Sequence, residues 1–98
     1  MGIELSDLVE NEEVLEDELR SIAEKHNLNP VHLKEIVRYR SKGLKQSGIA
    51  DKVGVSRNTV RKYISEIREM NRSDFKKLVV ISSLLFGGMY FLYDMLKE

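Results

Sequence analysis

There is no cysteine in this chain of 98 residues. That excludes a disulfide framework and any thiolate metal site, and it fits a reducing compartment. The sequence has no Gly-rich phosphate loop, no setting that would activate a nucleophile and no carboxylate pair at acid–base spacing. Catalysis is therefore not expected, and no catalytic residue is assigned. The two histidines, His26 and His32, flank Asn29-Pro30 with no cysteine nearby. They read as helix-end or surface residues, and no metal site or other cofactor is expected. Residues 1–27 lack an apolar core, which argues against a signal peptide. Internal repeats, low-complexity segments and a pocket-forming domain for a small-molecule ligand are also missing. The length suits one small domain, or a domain with an appendage.

An excess of one charge is lacking as well, with 16 basic and 16 acidic residues and a formal net charge of zero. Taken alone, zero argues against a nucleic-acid partner, but it hides a partition. Residues 1–27 carry nine acidic and two basic side chains, a net of −7. Residues 28–77 carry thirteen basic and five acidic, a net of +8. Asymmetry of this size points to an interaction surface.

Four regions follow along the chain. Residues 6–26 predict an amphipathic helix with Leu8, Leu15, Leu19 and Ile22 on one face. Asp7 and Glu10 near its start and Lys25 near its end suit the helix dipole. This acidic helix has three readings: a dimerisation or partner-binding helix, a solvated support for the core, or an arm folded over the basic block. Asn29-Pro30 then predicts a fresh start, an N-cap followed by proline at the first helical position. The next helix buries Leu33, Ile36 and Val37 and ends at Gly43, after about residue 42. A basic helix should run to about residue 70, with a break over residues 71–74.

The most specific stretch is residues 46–65, QSGIADKVGVSRNTVRKYIS. Ile49, Ala50 and Val53 put small and apolar groups on one face of a short helix. Gly54 stands where a turn needs a left-handed backbone. Ser56 is an N-cap, and Val60, Tyr63, Ile64 and Ile67 continue an inward face at helical spacing. That leaves Arg57, Asn58, Thr59, Arg61 and Lys62 outward, with Tyr63 read as core. The pattern resembles the helix-turn-helix family, in the form found in the DNA-binding ends of serine recombinases and in small transcription regulators. Ala50, Gly54 and Val60 fill the family's places for a small residue, a glycine four later and a β-branched residue six after that.

The resemblance implies double-stranded DNA as partner and a second helix that enters the major groove. It makes Arg57, Asn58, Thr59, Arg61 and Lys62 the base-reading candidates, because Arg pairs with guanine and Asn with adenine through paired hydrogen bonds. Lys42, Lys45, Gln46, Ser47 and Arg68 become candidates for phosphate contacts, with Arg72 continuing the track. Strand exchange is not implied, since recombinases use a separate catalytic domain for which these residues leave no room.

The last region is unlike the rest. Residues 78–93, LVVISSLLFGGMYFLY, hold no charge and show no clear helical periodicity. A helix apolar all round needs lipid, a second copy or the interior of its own core. Lipid is the first expectation: extended from residue 75 to residue 96, such a helix would reach about 33 Å, against a hydrocarbon layer of ~30 Å. Lys76 and Lys77 would face the cytoplasm, placing a cytoplasmic DNA-binding domain on a C-terminal anchor in the cell membrane. The second expectation is a homodimer. In either setting the helix would act through Leu78, Ile81, Ser83, Leu85, Gly87 and Phe91, with Ser83 and Gly87 allowing close approach.

The fold expected is all-α. A three-helix helix-turn-helix core spans residues 28–72, preceded by an acidic helix in 1–27 and followed by an apolar helix in 73–98. The function expected is a sequence-specific, dimeric, membrane-tethered transcription regulator. The alternative is a membrane-anchored or dimeric protein-binding adaptor acting through the acidic helix.

Overall fold

Local capping sets most of the helix boundaries. The computed structural model describes residues 12–87, which form five helices and no strand: α1 (Glu12–Lys25), α2 (Pro30–Ser41), α3 (Gln46–Val53), α4 (Arg57–Glu69) and α5 (Arg72–Phe86). Asn29 caps α2 as the sequence predicts, its side-chain oxygen accepting from the N–H groups of Val31 and His32. Ser56 caps α4 by accepting from the Thr59 N–H. The expected break over residues 71–74 is shorter than its prediction. Only Met70 and Asn71 lie between α4 and α5. Asn71 and Asp74 are the start of α5 itself, with the Asn71 side-chain oxygen accepting from the Asp74 N–H.

A single apolar cluster runs through all five helices. α2 lies at its centre, in contact with each of the others; α3 and α4 pack on each other, and α1 and α5 pack on each other. Leu33, Ile36 and Val37 from α2 meet Ile49 from α3, Val60, Ile64 and Ile67 from α4, Leu15, Leu19 and Ile22 from α1, and Leu78 and Ile81 from α5. The core therefore crosses the boundaries expected at residues 27 and 72. Three helices this short enclose too little apolar surface by themselves, and the two flanking helices close the cluster.

For the acidic helix, the described residues act as a support. Its apolar face (Leu15, Leu19, Ile22, Ala23) is buried. Part of its charge meets the basic block at helix contacts: Glu16 pairs with Lys34 of α2, and Glu18 lies 3.9 Å from Lys77 of α5. The Lys34 hydrogen bond, helped by its charge, holds the Glu16 carboxyl below its ordinary pKa. Leu8 lies outside the described residues.

The apolar segment departs most from expectation. Leu78 and Ile81 are buried inside the chain's own core, and Ser82 donates its hydroxyl to the Leu78 carbonyl at 2.6 Å. Leu85 packs partly against the same cluster. The helix stops at Gly87, which takes a left-handed conformation with φ 66°. A continuous span over residues 78–93 is thus interrupted, and its first half is spent on intramolecular packing. Among the described residues no helix is long and apolar enough to cross a membrane. Ser83 and Gly87 are exposed, while Phe91 lies outside the described residues.

Candidate nucleic-acid interface

The α3–α4 corner is built by one glycine and one serine. Gly54 has φ 80°, and its N–H and that of Val55 both reach the Ala50 carbonyl, at 2.9 and 3.1 Å. Two donors on one carbonyl close the helix and turn the chain within three residues. Space around Gly54 is open, with nothing within 4 Å of a hypothetical Cβ. The demand for glycine is therefore conformational alone. Gly54→Ala is expected to cost about 1 kcal/mol through the left-handed backbone, read as a lower midpoint in urea denaturation.

From Ser56 the chain enters α4, whose two sides differ sharply. Val60, Ile64 and Ile67 are sealed in the core. Tyr63 is buried too, and its hydroxyl accepts from the Asn29 N–H at 2.9 Å, tying α4 to the start of α2. Its ring meets His32 edge-on at 6.4 Å, so Tyr63 is a core residue, as its place in the pattern predicts.

Arg57, Asn58, Arg61 and Lys62 are exposed on the outer side of the first two turns. Thr59 is half-buried, and its hydroxyl sits 3.0 Å from the Ser56 hydroxyl, which commits it to the cap. The outer side changes sign further along, where Glu66 and Glu69 bracket Arg68. Positive charge is thus densest on the N-terminal half of α4, with Arg68 the one cation in its C-terminal half.

The phosphate candidates gather around the α2–α3 loop. Lys42 and Lys45 are exposed, Ser47 is exposed and Gln46 half-buried at the start of α3. Lys45, the N-cap of α3, makes no side-chain cap hydrogen bond. Two features here escaped the sequence reading. Arg40 donates to the Leu44 carbonyl at 3.0 Å and so pins the loop that carries Lys42 and Lys45. Tyr39 lies under two cations, Arg38 at 5.6 Å and Lys42 at 5.9 Å from its ring centre. The i, i+3 spacing of Tyr39 and Lys42 was the available signal.

A short helix, a glycine turn and a second helix with an exposed basic start make a recognisable unit, and the family comparison decides its class. A model of the HTH domain family matches residues 32–83. The chain belongs to the helix-turn-helix family. No curated protein and no solved structure matches it. The match runs from α2 through most of α5. It supports DNA binding as the activity, with control of transcription as the setting.

Proposed function

We propose that this chain is a sequence-specific DNA-binding transcription regulator that reads the major groove with the N-terminal half of α4. The observation that carries this reading is the division of α4: Arg57, Asn58, Arg61 and Lys62 outside, Val60, Tyr63, Ile64 and Ile67 inside. Arg57 and Arg61 suit guanine O6 and N7, and Asn58 suits adenine N6 and N7. Lys62 adds a long cationic reach, and Thr59 contributes its methyl group to the same edge. Lys42, Lys45, Gln46 and Ser47 hold the backbone on one flank, and Arg68 does so further along α4. The activity is binding, with no reaction step, and no cofactor or small-molecule ligand enters it. Its place is the compartment that holds the DNA.

The test separates base reading from phosphate holding. Arg61→Ala is expected to cost about 1–3 kcal/mol at one base position and to relax specificity there. Lys45→Ala is expected to weaken binding to all sequences alike and to reduce the salt slope by about one ion. Selected and scrambled duplexes, titrated by fluorescence anisotropy at several salt concentrations, give both quantities. Equal losses on every duplex for both variants would overturn the assignment of roles, and binding indifferent to salt would overturn the DNA reading.

A further inference from the structure

The end of α2 holds more positive charge than the phosphate contacts proposed above use. The Arg38 guanidinium carbon lies 5.6 Å from the centre of the Tyr39 ring, and the Lys42 ammonium lies 5.9 Å from the same centre. Both distances fall within the ~6 Å over which the negative face of a ring attracts a cation. Tyr39 is half-buried and packs at the edge of the core cluster, so its ring is a fixed point for two long side chains.

The C-terminal end of a helix is negative and ordinarily repels a phosphate. In this chain that end is closed by its own loop. The Tyr39 carbonyl accepts from the N–H groups of Lys42 and Leu44 at 3.1 and 3.2 Å, and the Arg40 carbonyl accepts from that of Gly43 at 2.9 Å. The one carboxylate of α2, Glu35, lies 3.7 Å from Arg38, beyond hydrogen-bond distance in a partly exposed pair. What faces water is therefore cationic: Arg38 and Lys42 on one ring, with Lys45 exposed three residues on. The helix dipole accounts for cations at this end, but it does not draw two of them to one ring.

Resting on the DNA-binding reading above, we propose that Arg38 is a further phosphate contact and that Tyr39 is its positioning residue. The ring acts as a platform that gathers the Arg38 and Lys42 heads into one site for a DNA phosphodiester. Side chains already restrained on the ring lose less freedom when a phosphate arrives. Arg38 offers a planar fork to two phosphate oxygens, and Lys42 offers a point charge. The contact carries no base information, so it strengthens binding to every sequence alike.

The experiment uses the full chain, the variants Tyr39→Phe, Tyr39→Leu and Arg38→Gln, and the double variant Tyr39→Leu/Arg38→Gln. Circular dichroism melting verifies that each folds. Anisotropy at several salt concentrations measures binding to selected and scrambled duplexes. Tyr39→Phe keeps the ring and should bind within about twofold of the unaltered chain. Tyr39→Leu is expected to bind every duplex about 5- to 10-fold more weakly. Arg38→Gln should also weaken binding to every duplex and reduce the salt slope by about one ion. The double variant should bind better than the two single losses multiplied together, because the ring acts partly through the cation that is gone.

Losses that simply multiply would make Tyr39 a packing residue and overturn the platform. A loss for Tyr39→Phe equal to that for Tyr39→Leu would overturn it too, by giving the contact to the hydroxyl. Arg38 is 43% exposed, so Arg38→Gln decides its own role even if Tyr39→Leu fails to fold. Unaltered affinity and slope for Arg38→Gln would remove Arg38 from the site while leaving the DNA reading intact. An unaltered chain that binds no duplex would remove the DNA reading itself, and this site with it.

Discussion

Asp74→Ala is expected to lower the thermal midpoint of this protein by roughly 10–20 °C, from a loss of about 2–3 kcal/mol. The reason is the density of contacts on one oxygen. Asp74 is 5% exposed, and its Oδ2 accepts from the Lys25 ammonium at 2.9 Å, from His26 Nε2 at 3.0 Å and from the Asn71 side-chain amide at 3.0 Å. An ionised carboxylate has no proton to give, so His26 Nε2 is the donor in its contact. These bonds fasten the end of α1 to the start of α5, where the negative charge also sits well in the helix dipole. Alanine removes all of them and strands a half-buried imidazole. Asp74→Asn keeps an acceptor of the same shape without the charge and should lose about half as much. An equal loss for both variants would show that the charge decides and that an acceptor of the same shape contributes nothing without it.

The same residue sets an acid limit. Lys25's hydrogen bond, reinforced by those of His26 and Asn71 against the opposing effect of burial, holds the Asp74 carboxyl below its ordinary value of 3.8. A depressed folded-state pKa means the unfolded chain binds the proton more readily. The contribution of Asp74 is therefore fully present above about pH 4 and is lost as pH falls below it through the folded-state value. Asp74→Asn should show a shallower decline of stability than the unaltered protein across that acid range.

What the sequence discloses depends on how local the cause is. Asn29-Pro30, Gly54 and Ser56 were legible because a cap or a left-handed turn acts within four residues. The inward row of Val60, Tyr63, Ile64 and Ile67 was legible because polar residues stand opposite it. The Asp74 cluster was not, since 48 residues separate it from His26 and neither residue carries a local mark. The basic candidates could be named by type and spacing, yet how Glu66 and Glu69 thin the positive charge beyond the first two turns of α4 needed the helix faces. α5 was misread for a definite reason. Asp74, Leu78, Ile81 and Ser82 form its buried stripe at helical spacing. Periodicity shows only against a polar opposite face, and here Val79 and Val80 at its edges are half-buried against the same cluster while Leu84 is exposed. A helix with core on one side and an apolar surface on the other looks uniformly apolar in one dimension.

That difference makes Leu78 the sharpest test of the fold. It is 0% exposed, and Ile81 beside it is 1% exposed. Leu78→Ala is expected to cost about 2–5 kcal/mol, the range for truncating an enclosed leucine, with the larger cost if α1 and α2 cannot close over the gap. A domain of this size would then melt roughly 10–25 °C lower. If residues 78–93 instead formed a span beyond the domain, the same substitution would change membrane partition and leave the melting of α2–α4 untouched. Calorimetry of the unaltered and Leu78→Ala chains decides between these outcomes without DNA or lipid present. A large downward shift, matched by Ile81→Ala, makes α5 a wall of the domain that holds α4, so the stability of the proposed reading helix is set partly by residues outside its basic surface. An unchanged melting temperature would remove α5 from the core and return its apolar residues to a role outside it.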